Sequence, residues 1–112
     1  MSAVLFHAVT YRFKDSVGEA EVAELVARLE ELPAAIDSIH SYRFGSDLGL
    51  TEGAGDFAVV AEFTDADGWR TYRDHPRHRA VVELIGTMIE ARYPVQFELP
   101  EASCKGTVAA GA

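Results

Sequence analysis

"DFAVVAEFTDADGWRTYRDHPRHRAVVELI", residues 56–85, holds the transition that decides the fold. Its first part alternates, so that Phe57, Val59, Ala61 and Phe63 share one face of an extended segment. That period of two belongs to a strand with one side buried. "TDAD" then offers several side chains that accept from the free N–H groups of a helix start. Trp69 and Tyr72, three residues apart, share a face of the short helix that follows, which breaks before Pro76. Past the break a longer helix is expected over 77–91, with His78, Val81, Val82 and Ile85 on its inward stripe. A strand therefore runs straight into a helix that is split in two.

Working toward the N-terminus, "GSDLGLTEGAG" lies between two strands and reads as a hairpin-like loop. Before it, Ile39, Ser41 and Arg43 alternate weakly against His40, Tyr42 and Phe44, a second strand with His40 solvated. "SVGE" at 16–19 has capping-box spacing, and Val22, Leu25, Val26, Leu29 and Leu32 follow at helical intervals until Pro33. That helix is expected to start at Ser16 and to stop at Pro33. The opening segment, 3–13, is rich in branched and aromatic residues and apolar on both faces: Leu5, His7, Val9, Tyr11 and Phe13 on one, Val4, Phe6 and Ala8 on the other. "YPVQFEL" at 93–99 supplies the last strand.

The order β-α-β-β-α-β is that of an α+β, ferredoxin-like domain: a four-stranded antiparallel sheet with its helices on one face. Such helices cover one sheet face, yet the first strand is apolar on both. A second copy of the chain is the economical cover, so a homodimer packed sheet against sheet is expected.

Bulk properties narrow the partners. At 112 residues the chain has room for one core, expected over 1–100, with a flexible tail at 101–112. A net charge of −8 and no basic run argue against nucleic acid or an anionic membrane as partner. One cysteine, Cys104 in that tail, permits no internal disulfide and suits a cytoplasmic protein. No run approaches the ~20 apolar residues of a membrane span, and the N-terminus lacks the features of a signal peptide.

The chemistry concentrates at Tyr72, His78 and His7. His78 shares the core-facing stripe of the last helix, and His7 shares the Leu5/Val9 face of the first strand. If that face lies under the helices, the three side chains converge. An imidazole near its ordinary pKa of ~6.5 holds or releases a proton at neutral pH, and burial favours its neutral, basic form. A neighbouring phenol can orient it or donate to a developing oxyanion. Equally, Pro76 at a helix start, His75 as its cap and His78 or His7 bonded to backbone make a purely structural reading. His-Pro-x-His points its two rings differently and has no carboxylate or thiol at ligand spacing, so no metal is expected. No phosphate or dinucleotide fingerprint is present, so no cofactor is expected either.

"LFHAVTYRFK", "DFAVVAEFTDADGWRTYRDHPRHRAVVELI" and "YPVQFEL" together resemble the stress-responsive A/B barrel (Dabb) family, over residues 3–99. The most specific element is Tyr-x-x-His-Pro-x-His, here Tyr72, His75, Pro76 and His78. The resemblance implies a dimeric α+β barrel with a cavity between sheet and helices. It also implies, by analogy with plant polyketide cyclases of the family, that His78 acts as base with Tyr72 assisting and His7 in the cavity. Those cyclases carry a tyrosine on the first helix; here "EAEVAELVARLEEL" has none, and Leu25 or Leu29 takes the nearest position. The expected pocket lining is Trp69, Leu25, Leu29 and Val81. Two functions from different classes follow: cofactor-free proton transfer or aldol-type cyclisation at a carbonyl or polyketide-like substrate, or a non-catalytic stress-responsive dimer that binds a small ligand. A cofactor-free monooxygenase is a third.

Overall fold

The computed structural model describes residues 3–100; Cys104 and the tail expected over 101–112 lie outside the described residues. The elements run β1 (Ala3–Phe13), α1 (Glu19–Ala35), β2 (Ile39–Ser46), β3 (Phe57–Phe63), α2 (Ala66–Asp74), α3 (Pro76–Met88) and β4 (Ile89–Pro100). All neighbouring strands pair antiparallel, in the order β2-β3-β1-β4. This is the ferredoxin-like arrangement with its second helix divided into α2 and α3.

The core lies between the sheet and the helices. Leu5, Val9 and Tyr11 of β1 and Phe57, Val59, Ala61 and Phe63 of β3 face Leu25, Leu29 and Leu32 of α1 and Val81, Ile85 and Met88 of α3. Each large aliphatic side chain sealed there contributes about 1.5–3 kcal/mol. The opposite sheet face is uncovered. On it Phe6 stacks on Phe97 with centroids 5.2 Å apart, and Val60, Tyr93 and Val95 stand exposed.

Three boundaries differ from those read in the sequence. Helix α1 begins at Glu19, not Ser16: Gly18 is the N-cap, and the Glu21 carboxylate accepts from the Gly18 N–H at 3.1 Å. Only the glutamate half of a capping box is present, two residues later than "SVGE" places it, because Gly18 has no side chain to return the bond. Pro33 lies inside α1 and does not end it. Its missing N–H forfeits one bond near the helix end, and Ile36 N–H still closes the last turn on the Leu32 carbonyl at 2.9 Å. Finally, α3 stops at Met88 and not at 91. Ile89 and Ala91 continue the apolar pattern of α3, but they pair with Phe13 and Arg12 of β1, and ladder pairing overrides local periodicity.

Strand β4 is an edge strand, which is why it tolerates Pro94 opposite Val9. Helix α2 packs on β1, β2 and β3 while α1 packs on β2 and α3. The inner side of β4, carrying Arg92, Pro94 and Gln96, is left exposed. A space therefore opens between β4 and α3.

Candidate functional site

The break between α2 and α3 builds one side of that space. A continuous helix would bond the Arg73 carbonyl to the Arg77 N–H; Pro76 and the extended backbone of His75 prevent it. Both orphaned groups find a histidine. His75 Nδ1 accepts from the Arg77 N–H at 3.1 Å, and His78 Nδ1 lies 3.1 Å from the Arg73 carbonyl oxygen. A carbonyl oxygen can only accept, so His78 carries its proton on Nδ1 and leaves Nε2 with a free lone pair. His75 is thus the cap of α3, as its place before Pro76 implies.

Tyr72 sits against this ring, with centroids 4.0 Å apart, and His7 approaches Tyr72 at 6.1 Å and Trp69 at 6.2 Å. His7 is the one polar side chain in the buried set among the described residues, 8% exposed. Its Nδ1 accepts from the Gln96 amide at 2.7 Å, which puts its proton on Nε2. The two imidazoles therefore present opposite faces of the same chemistry, a donor on His7 and an acceptor on His78.

Burial, followed by the nearby charges of His78 and Arg92, lowers the His7 pKa to about 4, so the ring is neutral at pH 7. Burial also lowers His78, against the opposing pull of its bond to the Arg73 carbonyl. The phenols of Tyr72 and Tyr42 share a hydrogen bond of 2.8 Å, and burial pushes both well up from the ordinary tyrosine value. They stay protonated and act as donors, never as bases, near neutrality.

A cavity of about 790 Å³ opens beside these groups, within the range of roughly 300–1,000 Å³ usual for small-molecule sites. His7, Trp69, Tyr72 and His78 line one end; Ile85, Gly86 and Ile89 form a wall; Arg92, Pro94 and Gln96 form the other. A second hollow, about 160 Å³ beside Thr10, Gly45 and Asp47, holds no histidine. Among the described residues no three His, Cys, Asp or Glu side chains are placed to hold a metal ion, and no helix is long and apolar enough to cross a membrane.

Of the expected lining, Trp69 is on the cavity, whereas Leu25, Leu29 and Val81 are not: they are at most 2% exposed, packed in the closed core. The expectation fails because α1 packs on β2 and α3, toward the edge of the sheet opposite β4. Nor does the Tyr72 hydroxyl orient His78; the Arg73 carbonyl does, and the phenol turns to Tyr42. Sequence reasoning misses Tyr42, Gln96 and Arg92. A signal exists for the last two. Pairing the apolar parity of β4 with Val4, Phe6 and Ala8 leaves Gln96 opposite His7 and Arg92 opposite Tyr11.

Fold and site define a ferredoxin-like α+β protein with a one-sided cavity carrying paired histidines. Residues 5–99 match the family described as the Stress responsive A/B Barrel Domain, Dabb, and the chain belongs to it. A dimeric ferredoxin-like protein of unknown function from Thermobifida fusca is 42% identical, with a TM-score of 0.83, over 88% of this chain and 93% of that one. A second dimeric protein of unknown function, from Bacteroides fragilis, is 26% identical, with a TM-score of 0.73, over 86% of this chain and 96% of that one. The hydroxynitrile lyase of Passiflora edulis is 15% identical and shares the fold, with a TM-score of 0.77 over 90% of this chain and 97% of that one. No curated protein matches the chain.

Proposed function

We propose that the protein is a cofactor-free enzyme that moves a proton at a carbon next to a carbonyl, with His78 as base. The observation that carries this reading is the complementary protonation of the two imidazoles on one cavity. His78 Nε2 takes the proton; the C–H electron pair becomes an enolate. The oxygen then bears the charge, and the Nε2–H of His7 donates to it. Where Tyr42 donates to Tyr72, the Tyr72 proton is left for the same oxygen. The enolate carbon can attack a second carbonyl of a polyketide-like chain, the new alkoxide recovering the proton from the His78 imidazolium, which is aldol-type cyclisation. Leu25 and Leu29 bear on this only as core. The protein acts as a homodimer joined through the outer sheet face, in keeping with its dimeric relatives.

The test is exchange of the α-protons of a simple aryl ketone in D2O, followed by proton NMR. The wild type is expected to accelerate exchange, and His78→Gln to lose at least about 100-fold with its circular dichroism intact. Equal rates for the two proteins sink the proposal.

A second reading, a non-catalytic ligand-binding dimer, draws on one observation: each histidine Nδ1 and the Tyr72 hydroxyl already has a protein partner. On that reading His78→Gln lowers the melting temperature and alters no exchange rate.

A further inference from the structure

The cavity wall carries three arginines, Arg73, Arg79 and Arg92, against a single acidic residue, Glu83, in a chain whose net charge is −8. Two of the three are engaged. Arg73 donates twice to Asp74, at 2.9 and 3.0 Å, and lies over the Trp69 ring at 5.2 Å. Arg79 reaches the same carboxylate at 4.0 Å. Arg92 has no carboxylate within 4.0 Å among the described residues.

A solvated arginine on an edge strand is ordinary; this one points into the cavity. It shares the β4 parity of Pro94 and Gln96 and pairs with Tyr11, which is only 7% exposed. A planar guanidinium over a partly desolvated floor is suited to bidentate pairing with a carboxylate.

We propose that the cavity takes a ligand with a carboxylate at one end, and that Arg92 is the residue that pairs with it. This rests on the reading of the cavity as a substrate chamber but not on His78 acting as base. The register sets the ligand's length. Gln96 lies opposite His7 and Arg92 opposite Tyr11, four residues of ladder and about 13 Å of strand apart. Shortened by the reach of the arginine side chain, that span fits a body on the order of six to eight carbons. Ile85, Ile89 and Pro94 flank it with apolar surface. The ligand is then a carboxylic acid with an apolar middle and its reactive carbonyl toward the histidines.

Calorimetric titration of the full chain with octanoate, octanamide and inorganic phosphate tests this. Octanoate is expected to bind saturably, and octanamide at least about tenfold more weakly. Arg92→Gln should bring octanoate down to the octanamide level, Arg92→Lys should retain part of the preference, and Arg28→Gln, an exposed position of α1 away from the cavity, should leave it unchanged. Equal binding of octanoate and octanamide to the wild type overturns the proposal, as does an Arg92→Gln variant that keeps the preference. Phosphate binding as tight as octanoate also overturns it, in favour of a simple anion site, and so does an absence of saturable octanoate binding below about 10 mM. Ketone exchange that fails while octanoate still binds through Arg92 removes the base and leaves the carboxylate site; the converse removes only the carboxylate site.

Discussion

His78 Nδ1 lies 3.1 Å from the carbonyl oxygen of Arg73, so the penultimate residue of α2 holds the ring of a residue in α3. The bond exists because the helix is broken, and it decides which nitrogen of His78 is basic. The Tyr-x-x-His-Pro-x-His string thereby gains a mechanical meaning. Its proline opens the helix, its first histidine caps the new start, and its second takes the freed carbonyl.

That arrangement makes acid the natural stress on the fold. His7 is held near a pKa of about 4 by burial, against about 6.5 in the unfolded chain. Its folded value is the lower one, so its contribution to stability is complete above pH ~6.5 and is lost as pH falls toward 4. His78, also lowered, acts in the same direction. Thermal melts from pH 7 to 4.5 should show a falling midpoint, the unfolding free energy dropping by at most about 1.4 kcal/mol per pH unit for each proton taken up. His7→Gln should flatten the curve. A wild-type midpoint constant over that interval contradicts the assignment. Turnover, if it needs neutral His78, should fall off in acid at a lower pH than an ordinary imidazole would impose.

The Tyr42–Tyr72 bond of 2.8 Å separates structure from chemistry. Tyr42→Phe and Tyr72→Phe should each cost about 1 kcal/mol in urea unfolding, and the double variant should cost less than their sum. In ketone exchange Tyr72→Phe should lower kcat by about 10–100-fold with little change in KM, and Tyr42→Phe should lower it less. Equal, small effects of both variants on kcat would confine the phenols to packing.

Leu29 and Trp69 are predicted to part company. Leu29, 1% exposed, belongs to the core, and Leu29→Ala should cost about 2–5 kcal/mol while leaving ligand affinity in the folded fraction unchanged. Trp69→Ala should do the reverse, weakening octanoate binding more than it lowers stability. Calorimetry and chemical denaturation on the same two proteins check both halves.

The outer sheet face gives a fourth expectation. Phe97, 46% exposed and stacked on Phe6, lies on the edge strand of that face with Val95, and Val60 of β3 is exposed on the same face. Phe97→Glu should place an unpaired charge in the joint and shift the protein to monomer in analytical ultracentrifugation. A dimer that survives the change at micromolar concentration places the joint elsewhere.

How legible this was in the sequence varied with the kind of signal. Strand β3 announces itself because all four of its alternating apolar residues are buried, and the split helix because proline leaves few alternatives. The convergence of His7, Tyr72 and His78 follows from parity alone once the helices are placed on one face. Boundaries fared worse where tertiary pairing outweighs local pattern: Ile89 and Ala91 read as helix until β1 claims them. The pocket wall was misjudged for a similar reason. The expected lining is apolar, Leu25, Leu29 and Val81, while the polar parity of β4, Arg92 and Gln96, carries no expectation although it faces the cavity. A closed core attracts the leucines; the space is left where no helix reaches.

Phe6 and His7 are neighbours in the chain, and the pleat sends one ring to the bare side of the sheet and the other to the chamber. Slippage of β1 by a single residue would exchange them, turning the imidazole outward and burying the phenyl beside Trp69 and Tyr72. A misregistered β1 therefore loses the Phe6–Phe97 stack and the His7–Gln96 bond together, so one slip undoes both sides of the sheet.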